Sequence, residues 1–300
     1  MSDASPLLYI GRFAPSPTGL LHFGSLIAAV GSYLQARAVG GRWLLRIEDL
    51  DPPRVMPGAT DAILSTLEAF GFEWDGEVVY QSERDDAYAQ ALQALATRGV
   101  LYRCNCSRKD IAAQSVVGKA GLIYPGSCRQ GPRGSKDEMS WRVRTDGAFI
   151  RFEDALQGAV DVDLEREIGD FTVQRADGIF AYHLALVVDD AAAGVTEVVR
   201  GYDLLASTAP QIHLQHLLGL PTPRYLHLPI AVNADGDKLS KQTHAPPLDA
   251  ATRHESLAAA LTFLGHPPPA EARGDLRSLW SWAHKAWDEQ RIPRRATIQV

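Results

Sequence analysis

The chain has 300 residues, 46% of them hydrophobic, and a formal net charge of −6. That size and composition are enough to bury a sizeable core, which excludes disorder as the default, and the acidic balance argues against coating nucleic acid with a broadly basic surface. The N-terminus has no basic segment leading into an apolar stretch and cleavage site, and no apolar run is long enough to span a bilayer, so the expected location is cytoplasmic and off the membrane.

Residues 7 to 13 (LLYIGRF) read as a short buried strand stopped by the turn APSPTG. Phe23, Leu26, Ile27, Val30 and Leu34 then recur at helical spacing until Gly40 and Gly41 supply a C-cap. WLLRIE (43 to 48) completes a strand, helix and strand of the size of one βαβ unit, which predicts a parallel sheet. Helical patterns follow near 57 to 71 and 83 to 99. Between about 101 and 175 the texture changes to short segments punctuated by Gly and Pro, with β-like runs at WRVRT (141 to 145) and AFIRF (148 to 152), and this stretch reads as an insertion. Regular patterning returns with the strand TEVVRG (196 to 201). Thr208 and Gln211 then fit a capping box with Pro210 in the first turn of a helix to Leu220. YLHLPIAV (225 to 232) reads as one further strand, and helical stretches near 253 to 264 and 274 to 290 close the chain.

Three constellations carry chemistry. RFAPSPTGLLHFGS (12 to 25) runs from a strand through a tight turn into a helix that opens with His22 and Gly24. A helix N-terminus presents unpaired N–H groups to an anion; Gly24 lets an adenine or ribose approach the backbone, and His22 can stabilise charge as an α-phosphate becomes pentacoordinate. GDKLSKQ (236 to 242) sets Lys238 and Lys241 three apart in a loop able to close over a triphosphate. Each alone reads as an ordinary turn or surface stretch; their conjunction, each after a predicted strand of one α/β domain, points to a nucleotide. The third is Cys104, Cys106 and Cys128, an odd number for a disulfide framework and close enough in sequence to favour a metal. Three thiolates leave one tetrahedral position open, and free buried cysteines are the alternative. Arg108, Lys109, Arg129, Arg133 and Lys136 form a basic cluster beside them, either an RNA contact or a solvated face.

These residues carry a resemblance. RFAPSPTGLLHFG resembles the HIGH region of the class I glutamyl- and glutaminyl-tRNA synthetases, and KLSKQ their KMSKS loop. RIEDLDPPR (46 to 54) and VVRGYDLL (198 to 205) are similar to segments of the same group, and the match runs in order from about residue 8 to about residue 265. Within the group the chain looks most like the glutamyl-Q tRNA(Asp) synthetases, truncated paralogues of the glutamyl enzyme. The spellings HFGS and KLSKQ, the stretch DDAAAGVTEVVRG and the cysteine cluster point there. So does the stretch after Lys241, too short for the anticodon-binding domain of a full glutamyl-tRNA synthetase.

The resemblance implies an α/β fold: a Rossmann-like, doubly wound parallel-sheet catalytic domain in two halves (1–100 and 176–245, the second with the KMSKS-like loop). An inserted zinc-binding subdomain (101–175) and a small helical C-terminal region (246–300) complete it. It implies an enzyme, working as a monomer, that uses ATP and Mg²⁺ to activate L-glutamate as glutamyl-adenylate without tRNA. The glutamyl group then passes to the queuosine base in the anticodon of tRNA(Asp). Glutamate brings two carboxylates and one ammonium, so its site needs fixed cations and at least one anion. By resemblance Arg12 and Arg200 pair with the carboxylates, Glu48 with the ammonium, and the Tyr182 hydroxyl fixes orientation; which arginine takes which carboxylate stays open. Phe13, Ala14, Pro15 and Ser16 belong to the same glutamate site, His22, Gly24 and Lys241 to the ATP site, and His22, Lys238 and Lys241 are the implied catalytic groups. For one structural Zn²⁺ per chain, Tyr124 is the implied fourth ligand beside Cys104, Cys106 and Cys128, although a phenol must lose a proton of pKa about 10 to serve. Two alternatives remain: a compact glutamyl-tRNA synthetase charging the 3′ end of tRNA(Glu), and a non-catalytic zinc-containing RNA-binding module.

Overall fold

A computed structural model describes residues 8–118, 121–133, 137–239 and 246–300. The chain starts with β1 (Ile10–Phe13), α1 (Phe23–Arg37) and β2 (Arg42–Ile47), with β1 and β2 parallel as the βαβ spacing predicts. The start of α1 is set by His22, whose imidazole Nδ1 accepts from the Gly24 N–H while Ser25 reaches back to the cap. At its other end Gly40 takes φ +67°, and Gly41 N–H returns to the Ala36 carbonyl. Next come α2 (Ala59–Ala69), β3 (Val79–Tyr80), which extends the sheet beyond β2 in parallel, and α3 (Asp85–Thr97).

The middle stretch holds β4 (Leu101–Cys104), α4 (Arg108–Gln114), a hairpin of β5 (Val116–Gly118) with β6 (Gly121–Ile123), and β7 (Ser140–Val143). It continues with β8 (Phe149–Asp154), β9 (Gly158–Asp163), α5 (Leu164–Glu167) and β10 (Phe171–Gln174). Strands β4, β7 and β10 form a small antiparallel sheet. The β8–β9 hairpin leaves it and joins the main sheet, where β8 lies parallel to β12 (Arg224–Leu228).

The second parallel unit is α6 (Tyr182–Ala192), β11 (Glu197–Gly201), α7 (Leu205–Leu218) and β12. Strand β11 sits beside β1, where Thr196 N–H donates to the Ile10 carbonyl and Ile10 N–H to the Thr196 hydroxyl, both at 2.9 Å. The three-stranded sheet β3, β2, β1 and the four-stranded sheet β11, β12, β8, β9 thus abut at β1 and β11, where the strand order switches; ligands of such folds bind outside the carboxyl ends of the strands at that point.

The rest of the chain is β13 (Ile230–Val232), α8 (Arg253–Phe263), α9 (Leu276–Ala286) and β14 (Thr297–Gln299). Its C-terminal region is thus not purely helical, since β14 pairs in parallel with β13. The predicted strand 225 to 232 is in fact two strands, because Pro229 has no N–H to donate and β12 and β13 pair with different partners. Nor does Thr208 cap a helix: α7 begins at Leu205, Pro210 lies inside it, and the Thr208 hydroxyl is taken by Arg200. The main core packs α1 between the sheet and α8 and α9 through Trp43, Tyr33, Phe72 and Trp280, whose rings stack or meet edge to face. Gly31 lets α1 approach β12, since a Cβ there would lie 2.4 Å from Leu228 Cδ1. Among the described residues no helix is long and apolar enough to cross a membrane.

Candidate active site

A cavity of about 370 Å³ opens at the carboxyl ends of β1 and β11, where the strand order reverses. Its floor is the end of β1 and the turn after it: Phe13, Ala14, Pro15 and Ser16 all line it, and the turn is pinned by Glu48 N–H donating to the Pro15 carbonyl at 3.0 Å. His22 and Gly24, at the first turn of α1, form one wall. Because Nδ1 of His22 is the acceptor in its own cap, the proton of the neutral ring sits on Nε2. A Cβ on Gly24 would lie 3.2 Å from the Leu239 carbonyl, so a side chain here would crowd the gap between α1 and the lysine hairpin.

Charge on the opposite wall is organised by a buried network. Arg12, 4% exposed, uses Nε on both carboxylate oxygens of Asp190 at 3.2 Å, and among the described residues its two terminal nitrogens have no hydrogen-bond partner. Arg46 bridges Asp190 (2.6 Å) to Glu48 (3.1 Å), and Asp189 behind it accepts from Gln81, Arg84 and Tyr88. Burial alone would raise Asp190; Arg12 and Arg46 outweigh it and hold the carboxyl below the usual range. At Glu48 burial outweighs Arg46, which still donates to it, and raises the carboxyl; a substrate ammonium placed beside it would oppose that shift. Tyr182, the first residue of α6, is pushed up to about 12 by burial and then by Glu48, which keeps its hydroxyl a proton donor.

Arg200 enters from the end of β11. Its Nε donates to His227 Nε2 (3.1 Å) and its Nη2 to the Thr208 hydroxyl (2.8 Å), while among the described residues the buried Nη1 has no hydrogen-bond partner. A buried guanidinium nitrogen left unpaired is costly, and a carboxylate in the cavity would satisfy it. Beyond β13 the chain turns through Asn233 to Asp237, with Gly236 at φ +86°, and returns antiparallel so that Lys238 and Leu239 reach the same cavity. Lys238 is ion-paired with Asp203 on the wall opposite. Lys241 lies outside the described residues. Of the predicted groups, every described one from the glutamate, ATP and catalytic sets lines this one cavity.

The thiols form a second, separate group at the end of β4. Their sulfurs lie within 4.8 Å of one another, Cys106 and Cys128 being 3.5 Å apart. The Tyr124 hydroxyl stands 3.3 Å from Cys104 Sγ and 3.5 Å from Cys106 Sγ, and accepts from Cys128 N–H at 3.0 Å. A tetrahedral Zn²⁺ with Zn–S of about 2.3 Å holds its sulfurs roughly 3.8 Å apart, so this donor set fits the ion. Burial pushes the Cys106 thiol up to about 11 and raises the Tyr124 phenol, so a cation would have to displace their protons. Of the basic cluster expected beside them, one member is already paired. Arg129 is committed to Asp170, Glu165 and Asp146, and Lys136 lies outside the described residues.

Sequence reasoning missed Arg46, Asp189, Asp190, Asp154 and His227. Asp189 and Asp190 stand in the quoted stretch DDAAAGVTEVVRG, and Arg46 in RIEDLDPPR, but nothing local says which arginine each acid meets. Asp49 accepts from the Ser82 N–H and hydroxyl and ties the end of β2 to the turn after β3.

Comparison with known proteins gives a consistent result. The family described as tRNA synthetases class I (E and Q), catalytic domain, matches residues 10–256. A protein of Aromatoleum aromaticum named glutamyl-Q tRNA(Asp) synthetase is 55% identical over 100% of this chain and 95% of its own length. Its namesake in Chromobacterium violaceum is 55% identical over 98% and 97%. Among solved structures, the glutamate-tRNA synthetase of Elizabethkingia anophelis superimposes with a TM-score of 0.77 at 25% identity, over 97% of this chain and 68% of that one. The glutamate tRNA ligase of Elizabethkingia meningosepticum, in complex with its amino acid, also gives 0.77, at 24% identity, over 96% of this chain and 66% of that one.

Proposed function

The chain belongs to the class I glutamyl/glutaminyl-tRNA synthetases and, within them, to the glutamyl-Q tRNA(Asp) synthetases; on that premise we propose that it activates L-glutamate without tRNA and glutamylates queuosine in tRNA(Asp). The observation that carries this reading is that Arg12, Glu48 and Arg200 line one cavity, and that among the described residues the buried Nη1 of Arg200 has no hydrogen-bond partner. Two buried guanidinium groups and one carboxylate on the same cavity match an amino acid with two carboxylates and an ammonium.

In the first step an α-carboxylate oxygen of glutamate attacks the α-phosphorus of ATP. A new O–P bond forms as the bond to the β-phosphate oxygen breaks, and pyrophosphate leaves. No protein nucleophile is required; positioning and charge stabilisation suffice. The His22 Nε2–H and the N-terminal amides of α1 face the phosphates, Gly24 admits the nucleoside, and Lys238 and Lys241 offset charge on the departing pyrophosphate. Mg²⁺ arrives with ATP. In the second step a hydroxyl of the queuosine base takes the glutamyl group and AMP leaves. The thiols and Tyr124 would hold one zinc, which ties β4 to the loop that carries Tyr124 and Cys128 and supplies no chemistry to the cleft. The deciding experiment incubates the protein, ATP and radiolabelled glutamate with tRNA(Asp), with and without queuosine, and with tRNA(Glu). Label is expected only on queuosine-containing tRNA(Asp), and label on the 3′ end of tRNA(Glu) would overturn the reading.

A further inference from the structure

We infer that Asp154 and His227 are positioning residues that aim Arg200 at the amino-acid carboxylate, an inference that rests on the proposed glutamate site. The three side chains form one buried line. Asp154, at the end of β8, meets His227 Nδ1 at 2.6 Å, and His227 Nε2 meets Arg200 Nε at 3.1 Å. Asp154 and His227 are essentially inaccessible to solvent, and neither lines the cavity.

The donor count fixes the roles. A guanidinium Nε carries a hydrogen and accepts nothing, so His227 Nε2 must present its lone pair. The ring proton therefore sits on Nδ1 and is donated to Asp154. A doubly protonated ring would set N–H against N–H at Arg200. Asp154 is itself immobilised, since its Oδ1 accepts from the backbone N–H groups of Leu156 and Gln157, and Gln157 returns a bond to the His227 carbonyl. The Thr208 hydroxyl takes Nη2 of Arg200, and with Nε and Nη2 both committed, Nη1 is the nitrogen left for a ligand. This explains why the β8–β9 hairpin docks on β12: it delivers the carboxylate that orients the histidine that orients the arginine.

Three replacements of His227 test the chain of contacts by steady-state, glutamate-dependent ATP–pyrophosphate exchange. His227→Phe removes both contacts and should raise KM for glutamate ~10-fold or more with KM for ATP within about twofold. His227→Gln places an amide oxygen near the Nε2 position and should recover most of that loss. His227→Asn reaches only toward Asp154 and should not. Should His227→Phe fail to fold, Asp154→Asn, which keeps an acceptor but loses the charge, is expected to raise KM for glutamate about threefold with KM for ATP unmoved. KM values for both substrates rising together, recovery by Asn but not Gln, or an unchanged KM for glutamate in His227→Phe or Asp154→Asn would overturn the inference. Wild-type protein without exchange would instead bring down the glutamate site itself.

Discussion

The cleft at the ends of β1 and β11 draws its charged groups from far apart, Arg12 pairing with Asp190 across 178 positions, whereas the thiol group takes all four side chains from residues 104 to 128. The cleft rests on the main core and the second cluster around α6, which hold the strands and helices in register before any ligand arrives. Among the described residues the buried cluster at the thiol group is Tyr102 with Cys104, Tyr124 and Cys128 themselves, Cys106 and Ile111 packing against it, and its loop spans residues outside the described set. A site assembled by the whole fold is preorganised and tolerates loss of its ligand; a site assembled by one short loop depends on what it binds.

The largest expected effect breaks the comparison at the thiols. Purified protein should contain close to one zinc per chain, and stripping it with a chelator should cost several kcal/mol of stability, seen as a lowered melting temperature in calorimetry. Glutamate affinity should change less than about threefold, and a metal-free protein with an unchanged melting temperature would mean that the thiols are simply buried cysteines. The reverse is expected at the cleft. Arg200→Ala should weaken glutamate binding ~100-fold in titration calorimetry, about 3 kcal/mol for a charge-assisted contact, with zinc content and ATP binding unaltered. Parallel losses of glutamate and ATP binding would show that Arg200 supports the fold and not the ligand.

His183 stands where the two regions meet, beside Tyr182 on α6, and with Tyr124 it lines a cavity of about 320 Å³. Burial, reinforced by Arg200, lowers it to about 4. The folded state thus keeps it neutral while the unfolded chain takes up a proton below about 6.5. The unfolded state binds more protons in that window, so this contribution is present above pH 6.5 and is lost as pH falls toward 4, on the order of 2 to 3 kcal/mol. Urea midpoints across that range should fall on acidification, and His183→Asn should flatten the slope; an equal slope in the variant would refute the assignment. The smallest effect concerns the core behind the cleft. Gly31→Ala sets a methyl 2.4 Å from Leu228 Cδ1 and should cost about 1 to 2 kcal/mol in denaturant titrations without altering zinc content.

What could be read in advance follows the same division. The turn, His22 and Gly24 fall in one short stretch, and the cysteines lie between 104 and 128, because helix starts and short metal loops are local features. The two lysines needed only one hairpin to be foreseen as a pair, though just Lys238 falls within the described residues. The ion network around Arg46, Asp189 and Asp190 was hidden because its members meet only when α6 lies against β1 and β2. Thr208 misled because a hydroxyl three residues before a glutamine looks like a cap until Arg200 is folded against it. Pro229 could have signalled the break between β12 and β13, but the apolar run around it concealed the change of sheet.

The most direct test of the central claim is exchange of radiolabelled pyrophosphate into ATP by protein free of RNA. Exchange should appear only when L-glutamate is present and should fall at least ~100-fold in Lys241→Ala, as expected if the helix start, the lysine loop and the two arginines act on one bound pair of substrates. Exchange independent of glutamate, none at all, or full activity in Lys241→Ala would contradict the account.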